Sequence, residues 1–155
     1  MKIIIIDPSE ETARIASISF NLSWPDSVII GTAKGAAGLT LIESEAPEVV
    51  MMAMQLPDME GLDLIKQIRG FSDVPLIVMG DRPSEVAAAL ALETGADDYV
   101  TKPLSPLDLL ARARAIARRT GSTKSMDVRR RPFVWHDLCI DYAKHEVVKD
   151  GRQVH

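Results

Sequence analysis

One cysteine, Cys139, stands in 155 residues. That excludes an intrachain disulfide and leaves no thiolate cluster for zinc. Nothing near it resembles an activating pair, so Cys139 reads as a strand residue and not as a nucleophile. Long hydrophobic runs are missing too. None approaches the ~20 residues that span a bilayer, and KIIIID near the N-terminus is too short for a signal-peptide core before it meets a polar turn. A cytoplasmic protein with no membrane partner is expected. No cofactor, metal centre or catalytic set is read from the chain, and it is not expected to be an enzyme.

Charge of one sign is short in one part only. Residues 1–119 hold 11 Lys+Arg against 17 Asp+Glu, a net charge of −6, whereas residues 120–155 hold 7 against 5, a net +2. An acidic body with a mildly basic tail fits a soluble regulatory domain joined to something that approaches an anion.

What is present is alternation. Residues 3–6, Val28–Thr32, 49–54, 76–79 and 98–100 are short apolar or β-branched runs bounded by turn residues. Helical stretches separate them at 10–22, 36–45, 62–71, 85–93 and Pro106–Arg119. Five strands alternating with five helices predict an α/β fold with a doubly wound parallel sheet covered on both faces. Ligand chemistry in such a sheet gathers at the carboxyl ends of the strands. Those ends carry Asp7, Ala53, Gly80 and, one turn after the last strand, Lys102.

After residue 119 the pattern stops. TGSTKSMDVRRRP, residues 120–132, is polar, basic and without apolar periodicity, and it reads as a linker. Arg129, Arg130 and Arg131 within it read as solvated charges with at most a small phosphate-contacting role. In residues 133–155, LCID and HEVVK are strand-like, and Asp150-Gly151 signals a hairpin turn before RQVH. Twenty-three residues of antiparallel sheet cannot bury a stable core unaided, so this segment reads as the beginning of a second, truncated domain.

KIIIID, LPDMEGLDLIKQIR, PLIVM and GADDYVTKPLSPLDLLARARAIARR together resemble the receiver domain of bacterial response regulators. The resemblance covers residues 1–119. The tail resembles the N-terminal four-stranded sheet of the winged-helix effector domain of the OmpR/PhoB type. The resemblance implies a flavodoxin-like receiver with strand order 2-1-3-4-5. It also implies phosphate from a histidine kinase, dimerisation through the fourth helix, fifth strand and fifth helix, and promoter binding by the full-length protein. No recognition helix is read in residues 1–155, so this chain by itself is expected to bind DNA poorly.

Receiver chemistry in that family needs two adjacent acids that hold Mg²⁺, an aspartate nucleophile, a Thr or Ser that bonds the phosphoryl oxygens, and a lysine. Carried over by position, Asp7 falls on the first acid and Pro8 on the second. Ala53 falls on the nucleophile, Gly80 on the hydroxyl residue, Lys102 on the lysine and Tyr99 on the aromatic switch. Pro103 suggests the family's cis peptide. Three of the five parts are therefore missing. Asp58 and Glu60 lie too far along the loop to replace the nucleophile in line, and they read as solvated loop acids. Lys102 is left free to pair directly with Asp7.

The resemblance also assigns a dimer face. Asp97, Asp98, Asp108, Arg112 and Arg119 match positions that supply ion pairs across a dimer, with solvated charges as the plain alternative. Ala88 stands where the family is usually basic. Leu90 and Leu92 cannot both reach the core at i, i+2, so one of them is expected outward on an apolar patch. These residues predict a phosphorylation-independent regulator of transcription that forms a homodimer by apolar burial. The alternative is a ligand-sensing or protein-docking module, with an unidentified partner on that face or in the space that Ala53 and Gly80 leave.

Overall fold

A computed structural model describes residues 1–119 and, beyond them, four strands at residues 133–135, 138–141, 146–149 and 152–154. The linker, its arginines and the Asp150-Gly151 turn lie outside the described residues.

The first part alternates strand and helix throughout. Its elements are β1 (Lys2–Ile6), α1 (Glu10–Ser23), β2 (Val28–Thr32), α2 (Gly35–Glu45), β3 (Val49–Ala53), α3 (Gly61–Arg69), β4 (Leu76–Gly80), α4 (Glu85–Thr94), β5 (Asp98–Thr101) and α5 (Pro106–Arg119). The strands form one parallel sheet in the order β2-β1-β3-β4-β5, the expected flavodoxin-like receiver fold.

Successive strand residues point to opposite faces, and both faces are covered. Ile3, Ile5, Met51, Ile77 and Met79 pack with Phe20 of α1 and Leu109, Leu110 and Ile116 of α5. Ile4, Ile6, Val50, Met52 and Val78 pack with Ile42 of α2, Leu64, Ile65 and Ile68 of α3, and Ala91 of α4. Two-sided burial explains why β3 and β4 read as uninterrupted apolar runs. Edge strand β2 is the most exposed of the five.

Local chemistry sets the helix ends. Ser9 caps α1 by accepting from the Thr12 amide (3.3 Å), and Glu10 and Glu11 lie in the first turn beside the positive end of the helix dipole. Ser84 caps α4 by accepting from Ala87 (3.1 Å). At the other end of α4, Gly95 has φ +136°, and a Cβ there would fall 2.8 Å from Cγ of Arg69. The Arg69 side chain explains this crowding. It donates to the carbonyls of Gly95 (2.8 Å) and Val74 (2.7 Å) and pairs with Asp97 (3.0 Å). One side chain thus ties the end of α3 to the starts of β4 and β5 and to the end of α4.

Nine boundaries differ from the sequence reading, eight of them by one residue. Helix α3 stops at Arg69, two residues early; β4 runs on to Gly80; and β5 runs to Thr101, which places Lys102 directly after the strand. Strands β6 (Phe133–Trp135), β7 (Leu138–Asp141), β8 (Glu146–Lys149) and β9 (Arg152–Val154) form a separate antiparallel sheet in sequence order. Cys139 lies in β7, as read.

Candidate functional site

In the strand order β2-β1-β3, the next strands after β1 are laid down on its opposite sides, so the carboxyl ends of β1 and β3 flank the crevice at the topological switch point. Asp7 follows β1 and Ala53 ends β3. Gly80 ends the neighbouring β4, and Lys102 follows β5. The fold therefore gathers four of the residues carried over from the resemblance at one end of the sheet. Exposed Pro8 follows Asp7.

The Asp7 side chain is fully buried and has a partner for each oxygen. Oδ1 accepts from the Ser9 amide at 2.7 Å, and Oδ2 lies 2.8 Å from Nζ of Lys102. The expected Asp7–Lys102 pair is formed. The Lys102–Pro103 peptide is cis, as the resemblance implies. Sequence reading missed a further member: the exposed Asp81 carboxylate stands 3.6 Å from the same ammonium. Its position directly after Gly80, at a strand carboxyl end, was the available signal.

Ala53 is 2% exposed, so its methyl group is packed and offers no acceptor oxygen to solvent. Mg²⁺ favours carboxylate and water oxygens in an octahedron. The residues present do not fit it, because Asp7 is engaged at both oxygens and Pro8 and Ala53 supply no side-chain oxygen. Among the described residues, no group of three or more His, Cys, Asp or Glu side chains is placed to hold a metal ion.

The expected space at Gly80 is not there, which corrects the sequence reading. Tyr99 leans along β5 over Gly80. A Cβ built on that glycine would overlap the Tyr99 hydroxyl oxygen and lie 2.5 Å from Cζ of the ring. The missing side chain is replaced by an aromatic ring from the next strand.

Asp58 is also more than a solvated acid. Its Oδ1 accepts from the Gly35 amide (2.8 Å) and its Oδ2 from Ala36 (3.0 Å), so it caps α2 from the β3–α3 loop. The N-cap residue of α2 itself, Lys34, makes no side-chain cap bond, and a helix start without Ser, Thr, Asp or Asn was the overlooked sign. Glu60 lies exposed at the head of α3, paired through the backbone with Gln55 across the loop.

Hydrogen bonds from Ala36 and Gly35 hold the Asp58 carboxyl below its ordinary value of 3.8. A lowered folded value means that this contribution to stability is complete above about pH 4 and is lost as pH falls through the folded value. Asp58→Asn is expected to lower stability at pH 7 and to flatten the loss of stability below about pH 4. Urea titrations of both proteins at stepped pH check this; parallel acid limbs count against it.

The other face predicted from sequence is partly assembled. Arg112 donates through Nη1 to both Asp98 oxygens (2.9 and 3.0 Å) and through Nε to Asp108 (3.0 Å), all within the chain. The Asp98 hydrogen bonds, then those of Asp108, hold its guanidinium even more firmly protonated than usual. Arg112 and Arg119 line a groove with Asp97, Asp98, Ala115 and Ile116. Asp97 also accepts from the Leu76 amide (2.7 Å) besides pairing with Arg69.

On α4 only Ala91 is buried, and Ala88 is partly exposed. Leu90 and Leu92 are both outward, at 44% and 46% exposure, so the expectation of one outward leucine is corrected. With ~100° per residue, neighbours on each side of a buried Ala91 both point away from the sheet. Val86, 71% exposed, lies one turn before Leu90 on the same flank of the helix, and Leu92 lies on the other flank. Among the described residues, no helix is long and apolar enough to cross a membrane.

Comparison with known proteins agrees with this fold. Residues 3–114 match the model of the response regulator receiver domain. The chain is 34% identical over 154 residues to the transcriptional regulatory protein KdpE of Mycobacterium tuberculosis, and 32% identical over 153 residues to the DNA-binding response regulator MtrA of Mycolicibacterium smegmatis. These alignments cover 99% of this chain in both cases, but only 66% and 64% of the two relatives. Among solved structures, the BeF3-activated receiver domain of RstA from Klebsiella pneumoniae superposes with a TM-score of 0.68 at 29% identity. It covers 76% of this chain and 99% of that one. A two-component response regulator from Clostridium difficile gives 0.71 at 28% identity, covering 77% and 98%. The chain belongs to the response regulator receiver domain family.

Proposed function

We propose that this chain is a pseudo-receiver: the input half of a transcriptional regulator, working without phosphoryl transfer. The observation that carries the reading is the buried methyl of Ala53 at the carboxyl end of β3, beside an Asp7 already closed onto Lys102. A phosphoryl acceptor needs an exposed carboxylate there, and a metal needs free acidic oxygens. Neither requirement is met by these side chains.

The output side is read from the relatives. One is a transcriptional regulatory protein and another a DNA-binding response regulator, and both are longer than this chain. Strands β6–β9 fit the N-terminal sheet of a winged-helix domain, in which a recognition helix reads the major groove. The self-association surface is the exposed apolar side of α4 together with β5 and α5. A small ligand in the degenerate pocket is the weaker reading, because Tyr99 stands in the space that Gly80 would leave.

Restoring the acceptor tests this reading. Ala53→Asp, incubated with Mg²⁺ and a small-molecule phosphodonor, is expected to gain no stable acyl phosphate, since Pro8 and Gly80 still lack the oxygen atoms that hold metal and phosphoryl group. Intact-protein mass spectrometry reads the outcome. Efficient single phosphorylation of the carboxylate introduced at position 53 would show that the site is otherwise competent, and phosphorylation of the unmodified chain would overturn the pseudo-receiver outright.

A further inference from the structure

We propose that the outer side of α1, at Ile18 and Leu22, is the seat on which the β6–β9 sheet of the same chain docks. The output end of the protein is then held on the face of the input domain opposite α4. The proposal takes β6–β9 as the output sheet of the reading above, but the placement stands on separate observations.

The first is the make-up of α1. Thr12, Ala16, Ser19 and Phe20 are its buried residues, and their spacing puts them on one stripe turned to the parallel sheet. The outer side of such a helix is ordinarily charged or polar. Here residues 18–24, ISFNLSW, carry no charge, and the last turn has no basic residue to meet the negative end of the helix dipole. Ile18 and Leu22 stand one turn apart on this stretch, 42% and 40% exposed. Ser17 and Ser19 turn their hydroxyls back onto the carbonyls of Ala13 (2.7 Å) and Ile15 (2.8 Å), so they offer solvent no donor.

The second observation is where the small sheet sits: β6 lies against α1. Among the described residues β6 pairs with β7 alone and is an edge strand. An open edge invites pairing with other chains, and a helix laid beside it is one of the ordinary ways it is covered. A sheet built from residues 133–155 also has too little core to stand by itself, so it needs an apolar surface to rest on. Ile18 and Leu22 supply one, and with β6 in place they still have room for the strand next to it. Charge acts in the same direction. Residues 120–155 carry a net +2 and residues 1–119 a net −6, so tail and body attract before they touch.

The seat has a consequence for assembly. Helices α1 and α5 cover one face of the parallel sheet, and α4 covers the other. A small sheet seated on α1 therefore leaves Val86 and Leu90 of α4 open. Seated on α4 it would compete with self-association, and a trigger would have to move it. On α1 the two contacts coexist, as a regulator that receives no phosphoryl group requires.

The chain's one cysteine makes the placement measurable. Cys139 lies in β7, directly across from Val134 of β6. A nitroxide attached there is expected to erase most of the amide signal of residues 18–24 in a ¹⁵N-resolved NMR spectrum. Signals of residues 86–94 should be reduced severalfold less. Broadening centred on α4, or none within residues 1–119, overturns the proposal.

Hydrogen exchange tests the same seat without a label. Ile18→Asp combined with Leu22→Asp is expected to speed exchange of the amides in residues 133–154 roughly tenfold or more, because the sheet loses its support. Phe71→Asp is the control. That residue is comparably exposed but follows α3, on the other face, and its replacement should leave the small sheet's protection as it is. Unchanged exchange in the double variant, or equal acceleration by Phe71→Asp, overturns the proposal. Amides of β3 and β4 report whether the parallel sheet stays folded, and should the double variant unfold it, the nitroxide result on the natural chain decides. None of these outcomes alters whether Ala53→Asp accepts a phosphoryl group, so the two readings fail independently.

Discussion

Replacing Lys102 with methionine is expected to lower the unfolding free energy by about 3 kcal/mol, the low end of what removing one partner of a buried ion pair costs. The low end applies because the Lys102 side chain is 17% exposed while that of Asp7 is fully buried. Water reaches the ammonium and weakens the pair, but the carboxylate left behind has only the Ser9 amide as a partner. Asp7→Asn should cost less, about 1–2 kcal/mol, because its carbonyl oxygen still accepts from Ser9 and Lys102 keeps Asp81 and solvent. The double variant separates shape from stability. Buried ion pairs replaced on both sides are often near neutral, so Lys102→Met with Asp7→Asn should cost clearly less than the sum of the two single changes. Urea unfolding of the three variants measures this coupling. An unchanged midpoint for Lys102→Met would mean that the pair does not hold the crevice closed, and additive costs would mean that the two residues act separately.

That pair is legible in the sequence itself, and the reason is topological. Once a parallel doubly wound sheet is read from five apolar runs, every residue directly after a run lands at the same end of the sheet. Asp7 and Lys102 are then neighbours although they lie at opposite ends of the domain's sequence. The strands themselves were legible because two-sided burial writes them as continuous apolar stretches. What escaped the sequence depends on side-chain direction or on partners far along the chain. Asp58 caps a helix that begins 23 residues before it, and periodicity carries no information about that. Arg69 lies inside a stretch whose pattern says only helix, yet its side chain folds back to Gly95, Val74 and Asp97. Position 80 was read as a gap because glycine has no side chain. The filling ring came from the adjacent strand, and only the register reveals it. Leu90 and Leu92 were misjudged for a simpler reason: the helix contacts the sheet through an alanine, and a residue with so little apolar bulk did not stand out as the buried one.

Leu90→Glu is expected to weaken self-association by on the order of 100-fold while leaving the monomer folded, and Leu92→Glu, on the opposite flank of α4, is expected to weaken it less. The unmodified chain, with no phosphodonor present, is expected to sediment as a dimer. The argument begins with α4, which is apolar over most of its length yet buries Ala91 alone. Val86 and Leu90 are then exposed one turn apart on one face of a ten-residue helix, with Leu92 exposed on the opposite flank, and adjacent exposed apolar residues of this kind mark an interaction surface. Salt bridges are a weaker candidate for holding a partner, because Arg112 is already satisfied by Asp98 and Asp108 of its own chain. Re-pairing them across an interface exchanges one exposed ion pair for another, and exposed pairs contribute little. Asp108→Ala should therefore change the dissociation constant by less than about threefold, against the ~3 kcal/mol, or roughly 100-fold, that removing a central apolar contact costs. Two-fold symmetry strengthens the contrast, since each glutamate enters the interface twice. Exposed positions tolerate the change in the monomer, where substitutions typically stay within about 0.5 kcal/mol. Sedimentation equilibrium across the concentration range, with circular dichroism on each variant, decides the matter. A natural chain that stays monomeric at every concentration would transfer the apolar surface of α4 to a different protein partner. A dimer that survives both glutamates but dissociates with Asp108→Ala would place the ion pairs, and not the leucines, at the centre of the interface.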